Sequence, residues 1–129
     1  MTMLYRVQSP KSLAEVARGL EEAAPKYKFG VLAVHDLKAK MKEKGVEFDR
    51  DCLIYEVCNP QQAKKVLEAN AEMSTALPCR ISIYREGAGV TLATLRPTAL
   101  IDMFQTPGLR AVAEEVEEVI VRMMNDAVK

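Results

Sequence analysis

A cysteine at position 58 stands directly before Asn59 and Pro60 in the stretch CNPQQAKKVLEAN, residues 58–70. Asn59 fits a helix N-cap, Pro60 fits the first helical position and Gln62 falls three after the cap, so a helix is expected to run to about Asn70. A thiol placed there lies near unpaired backbone amides and the positive end of the helix dipole, and both favour thiolate over thiol. Cys58 would then be a nucleophile or a soft metal ligand. The opposite reading gives it no chemistry: free cysteine is among the most buried residue types, and a dipole activates only a thiol that solvent can reach.

A second thiol decides how far the first reading goes. Cys79 follows Leu77 and Pro78 and begins another expected strand. A helical crossover between neighbouring strands usually makes them parallel, which would send Cys58 and Cys79 to opposite sheet edges; an antiparallel pair would bring them to the same edge. Only the antiparallel case permits a shared redox or metal site. Cys52 lies in the same expected strand as Cys58, about 20 Å away at the rise of an extended chain, too far to pair. Three cysteines make no disulfide framework, so reduced thiols are expected.

Two further side chains are candidates. Glu56, inside the apolar strand CLIYEVC, would act as an acid or base if buried, because burial raises a carboxyl pKa. With one wet sheet face it would instead sit in solvent, paired across the ladder with Arg80 or Arg85. His35 could complete a soft metal site with Cys58 and Cys79, yet neither CxxC nor HxxxH spacing occurs, and a lone histidine at a strand end is more often a hydrogen-bonded surface residue. No metal and no cofactor are therefore expected. Ligand-binding or redox candidates are Cys58, Asn59, Cys79, Glu56 and His35.

These residues must be positioned by a regular order of elements. MLYRV, residues 3–7, alternates as a strand, and Ser12 with Glu15 has capping-box spacing ahead of a helix with the stripe Leu13, Val16, Ala17 and Leu20. Gly30 opens VLAVHD, and Asp36 caps a short helix LKAKMKEKG, with Leu37 and Met41 inward and a stop at Gly45. CLIYEVC is the third strand, with Leu53, Tyr55 and Val57 on one face. The following helix turns Ala63, Val66 and Leu67 inward. RISIYR and VTLATL form a hairpin across Gly87 and Gly89, TALIDMF is a short helix, and Thr106 with Pro107 starts a last helix with the stripe Leu109, Val112, Val116, Val119, Ile120 and Met123. Five strands and about four helical pieces imply an α+β or mixed α/β sandwich with the two long helices on one sheet face.

Composition narrows the function classes. The 129 residues suit a single domain spanning 1–129, and 49% hydrophobic with 28% charged residues is ordinary for a folded protein. Lysine plus arginine and aspartate plus glutamate stand at 18 each, so no net positive field gathers nucleic acid or anionic lipid. Lys38, Lys40, Lys42 and Lys44 alternate around their helix among acidic neighbours and read as a solvated face. No basic start with an apolar run opens the chain and no segment approaches the roughly 20 apolar residues of a membrane span, so no membrane partner and a cytoplasmic location are expected. Gly-rich phosphate loops and GxSxG constellations are missing, which removes classical nucleotide-binding and hydrolase readings.

FGVLAVHDLKAKMKEKGVEF, YEVCNPQQAKKVLEAN and ALPCRISIYREG together resemble the bacterial and archaeal family called domain of unknown function 302, with CNP and LPC at this separation as the most specific elements. The resemblance covers nearly the whole chain. It implies an α+β fold with a five-stranded, largely antiparallel sheet and two long helices packed on one face, similar to the TATA-binding-protein-like class. It also implies that Cys58 and Cys79 approach each other. It brings no established activity, and likeness to a DNA-binding class does not carry that function. The expectation is a small ligand-binding or interaction domain, with a homodimer as the expected assembly and no assignable catalysis. The alternative is a thiol-dependent redox or metal-handling protein using Cys58 and Cys79.

Overall fold

Local signals set most of the elements. Ser12 caps the first helix, α1 (Leu13–Lys26): its hydroxyl accepts from the Glu15 amide while the Glu15 carboxylate accepts from the Ser12 amide. Asp36 caps α2 (Leu37–Glu43) by accepting from the Ala39 amide, and Gly45, at φ +77°, supplies the left-handed residue beyond its end. Asn59 caps α3 (Pro60–Ala69), and Pro97 opens α4 (Pro97–Phe104) at a position where a missing amide costs nothing. The last helix is α5 (Arg110–Ala127). The computed structural model describes residues 2–106 and 108–129. The expected helix start at Thr106 and Pro107 therefore includes Pro107, outside the described residues, and the helix itself begins at Arg110.

The strands are β1 (Leu4–Ser9), β2 (Gly30–Asp36), β3 (Cys52–Cys58), β4 (Cys79–Glu86) and β5 (Gly89–Leu95). They form one sheet in the order β1-β5-β4-β3-β2, with every neighbouring pair antiparallel. This is the α+β sheet expected above. Three connections carry helices, yet none makes a parallel pair. α1 carries the chain from one sheet edge to the other, whereas α2, and then α3 with the 3-10 turn Ala71–Ala76, return it antiparallel to a neighbouring strand. Only β4 and β5 meet in a tight hairpin, where Glu86 pairs with Gly89 and Gly87 takes φ +60°.

One sheet face is covered by α1 and α5. Val16, Leu20, Tyr55, Val57, Ile81, Ile83, Leu92, Ile120, Met123 and Met124 pack between them. α1 and α5 approach closely at Gly19, where a β-carbon would meet the Ala127 carbonyl oxygen at 2.5 Å. Tyr27 donates to Asp126 at 2.6 Å and Tyr5 donates to Asn125 at 2.7 Å, fixing the end of α5 against α1 and β1. Tyr55 is buried in this core with its hydroxyl donating to Glu21, and burial followed by that carboxylate pushes its pKa up. A second, smaller cluster of Val66, Met73, Ile101, Leu109 and Ala113 lies beneath α3 and α4. Leu37 and Met41, expected to face inward, are only half-buried, and no residue of α2 is fully buried.

Candidate functional site

Strand register settles where the two cysteines go. Val57 pairs with Cys79 across the antiparallel β3–β4 ladder, so Cys58, one residue further on, ends β3 where β4 begins. The peptide between Leu77 and Pro78, just before Cys79, is cis. Cys58, Asn59 and Cys79 all line one cleft of about 60 Å³. Its walls come from the end of the sheet at Phe29 and Val57, from Ala63 and Val66 of α3, from Met73 and Leu77 of the connection, and from Leu100, Ile101, Val112, Ala113 and Val116 of α4 and α5. The cleft thus occupies the seam between the main core and the smaller cluster.

Its electrostatics differ from the expected helix-terminus site. Asn59 Oδ1 accepts from the amides of Gln61 at 3.1 Å and Gln62 at 3.3 Å, the Asn59 carbonyl accepts from the Ala63 amide at 2.9 Å, and Pro60 has no amide at all. The amides that would have stabilised a thiolate are already engaged. Burial raises the Cys58 pKa above its ordinary value of 9.0. Burial, with a smaller contribution from the neighbouring Cys58, pushes Cys79 up to about 11. Both sulfurs are neutral thiols at pH 7. All three cysteines are free, and Cys52 stands at the far end of β3 from Cys58, as its position in the strand required.

The other two candidates lie outside the cleft. Glu56 alternates with Val57 and so points away from the helices. Its carboxylate sits between His35 Nε2 at 3.6 Å and Arg80 Nε at 3.4 Å, joining β2, β3 and β4. Arg80, and not Arg85, is its ladder partner. The Glu56 side chain is 20% exposed and its partners are more open, the arrangement of a solvated face. His35 stays with Glu56, and neither of them lines the cleft that holds Cys58 and Cys79. Among the described residues no three His, Cys, Asp or Glu side chains are grouped as a metal ion would need. Replacing Glu56 with glutamine is expected to change stability by less than ~1 kcal/mol in a denaturant titration, because both of its partners are open to solvent and such ion pairs contribute little; a loss of several kcal/mol would mark a working carboxylate.

Gln62 stands three residues after the cap, but it does not complete a capping box. Its side chain does not return to the Asn59 amide; Nε2 donates outward to Glu115 Oε1 at 3.1 Å. Its Oε1 is buried with no hydrogen-bond partner. Leu67, expected inward, is exposed, so the inward face of α3 is Gln62, Ala63 and Val66. Spacing of three and four from Asn59 was the sequence signal for that face. Lys38 meets Asp51 at 3.3 Å and Lys40 meets Glu43 at 3.9 Å, the solvated pairing expected of that helix.

An antiparallel five-stranded sheet with helices on one face, and an uncharged cleft where two central strands meet α3, defines an α+β domain with a small apolar site. The chain belongs to the family described as domain of unknown function DUF302, which matches residues 5–127. It is also similar, at 31% identity and a TM-score of 0.93, to the crystal structure of an uncharacterised conserved DUF302 protein from Bacillus stearothermophilus, over 98% of this chain and 99% of that one. No curated protein matches it. Among the described residues no helix is long and apolar enough to cross a membrane.

Proposed function

We propose that this protein is a small-molecule-binding domain whose site is the cleft at Cys58 and Cys79, and that its ligand enters by a neutral, mainly hydrocarbon group. The observation that carries this reading is the lining itself: apolar side chains from five elements converge with Cys58, Asn59, Gln62 and Cys79, and none of the described lining residues is charged. Size limits the inserted group. An apolar cavity of about 150 Å³ takes benzene, so 60 Å³ suits a group of a few heavy atoms, with any larger remainder outside the mouth. Anions are disfavoured because the first-turn amides of α3 are engaged, and cations because a buried charge without a partner is costly. Raised thiol pKa values argue against a thiolate-driven redox role for the same site.

Filling the cleft tests the reading. Ala63 is half-buried on the cleft wall, and Ala63→Leu is expected to keep or raise stability by up to ~1 kcal/mol, as cavity-filling changes do. The same variant should lose the amide chemical-shift changes that 1-butanol produces around Ala113 and Val116 in the parent protein. Shifts that persist unchanged in the filled variant, or that never appear in the parent, would remove the cleft as a binding site.

A further inference from the structure

We propose that the cleft selects ligands carrying an uncharged hydrogen-bond donor, an alcohol or amide N–H on a short hydrocarbon group, and that Gln62 Oε1 is the atom that recognises it. The proposal rests on the ligand-binding reading above and adds the ligand's polar end. Gln62 lines the cleft, and its Oε1 is buried with no partner. The orientation of the amide is fixed by chemistry: the Glu115 carboxylate only accepts, so the NH2 end must face it at 3.1 Å, and the oxygen is the end left inside. A buried carbonyl oxygen without a donor is costly, and a ligand that brings one recovers that cost.

The remaining polar groups of the cleft do not compete for this role. Asn59 Oδ1 already accepts two amide hydrogens. The two cysteines are protonated thiols, which are weak donors and weak acceptors. Gln62 Oε1 is thus the strong unpaired acceptor among the described lining residues, and it is shut off from bulk solvent, where an unmet hydrogen-bonding group discriminates most sharply between ligands with and without the matching atom. A charged donor such as an alkylammonium fits poorly, since none of the described lining residues is a carboxylate to receive it.

Two isomers of equal size supply the test: 1-butanol, which has a donor, and methyl propyl ether, which has none. Each is titrated into the 15N-labelled protein while the amides of Ala63, Ala113 and Val116 are followed. The parent protein should bind the alcohol roughly five- to tenfold more tightly than the ether, the ratio one net hydrogen bond gives. Gln62→Met, which keeps length and removes the acceptor, should bind both with similar affinity. Equal affinities in the parent would overturn the donor requirement while leaving the ligand-binding reading intact. An alcohol preference that survives in Gln62→Met would overturn the assignment to Gln62. Binding of neither probe would overturn the ligand-binding reading and this inference with it.

Discussion

Cys79 is expected to react with iodoacetamide at pH 7 at least about tenfold more slowly than free cysteine. Its pKa of about 11 stands two units above the ordinary 9.0, which removes two decades of thiolate. A more basic thiolate is the better nucleophile, and a Brønsted coefficient of about 0.4–0.5 returns roughly one decade. Partial burial at the start of β4 then slows approach further. Mass-resolved alkylation of the folded protein reads each cysteine separately. A Cys79 or Cys58 that alkylates as fast as free cysteine would restore the thiol-dependent alternative, because it would show a thiolate the geometry does not support.

The same thiols set a direction for stability in alkali. As pH rises, the unfolded chain ionises Cys79 at its ordinary value, while the folded chain holds the proton until about 11. Stability is therefore whole below about pH 9 and declines between about 9 and 11, by up to ~2 kcal/mol once partial exposure is allowed for. Tyr55, with a raised pKa of its own, continues the decline at higher pH. Cys79→Ala should flatten the first part of that slope and leave the second.

Gly19→Val is expected to cost ~3 kcal/mol and lower the melting temperature by about 10 °C in calorimetry, a size set by overpacking and by the chain's length. The sign is the informative part. In an exposed helix interior, replacing glycine gains several tenths of a kcal/mol or more from propensity. Here the new β-carbon would fall 2.5 Å from the Ala127 carbonyl oxygen and 3.1 Å from its α-carbon, so the backbone of α5 would have to move. Ala127 is buried, and the end of α5 is held by the hydrogen bonds of Tyr27 and Tyr5 to Asp126 and Asn125, which resist that movement. A neutral or stabilising Gly19→Val would show that α1 and α5 are looser than this contact requires.

Most elements were legible because their signals are local. Ser12 with Glu15, Asp36, and Asn59 each satisfy amides within three or four residues, and the period-two pattern of CLIYEVC put Tyr55 and Val57 on one face and Glu56 on the other. The antiparallel turn-back between β3 and β4 was not legible in the element pattern, because a helical connection is long enough to return the chain in either direction, and only the family resemblance implied it. The state of Cys58 was partly written in its own neighbours: if Asn59 caps α3 and Pro60 lacks an amide, few donors remain for a thiolate, and both facts are in the sequence. The far wall of the cleft was not, since Leu100, Ile101, Val112 and Ala113 reach it from the other side of the fold and carry no mark distinguishing them from core. Gln62 was the hardest to see, because its vacancy is a property of where its other end goes, and Glu115 lies far along the chain.

A gap set along the boundary of two separately packed clusters should also set where the molecule opens most easily. The smaller cluster under α3 and α4 is joined to the sheet across this gap, where fewer atoms touch than in a filled interior. A guest that bridges the two sides would couple them, so its presence should be felt as slower deuterium uptake along α3 and α4 before any change reaches the central strands. Recognition and local rigidity would then be one event, and the unoccupied protein would be held ready by the looseness of one corner.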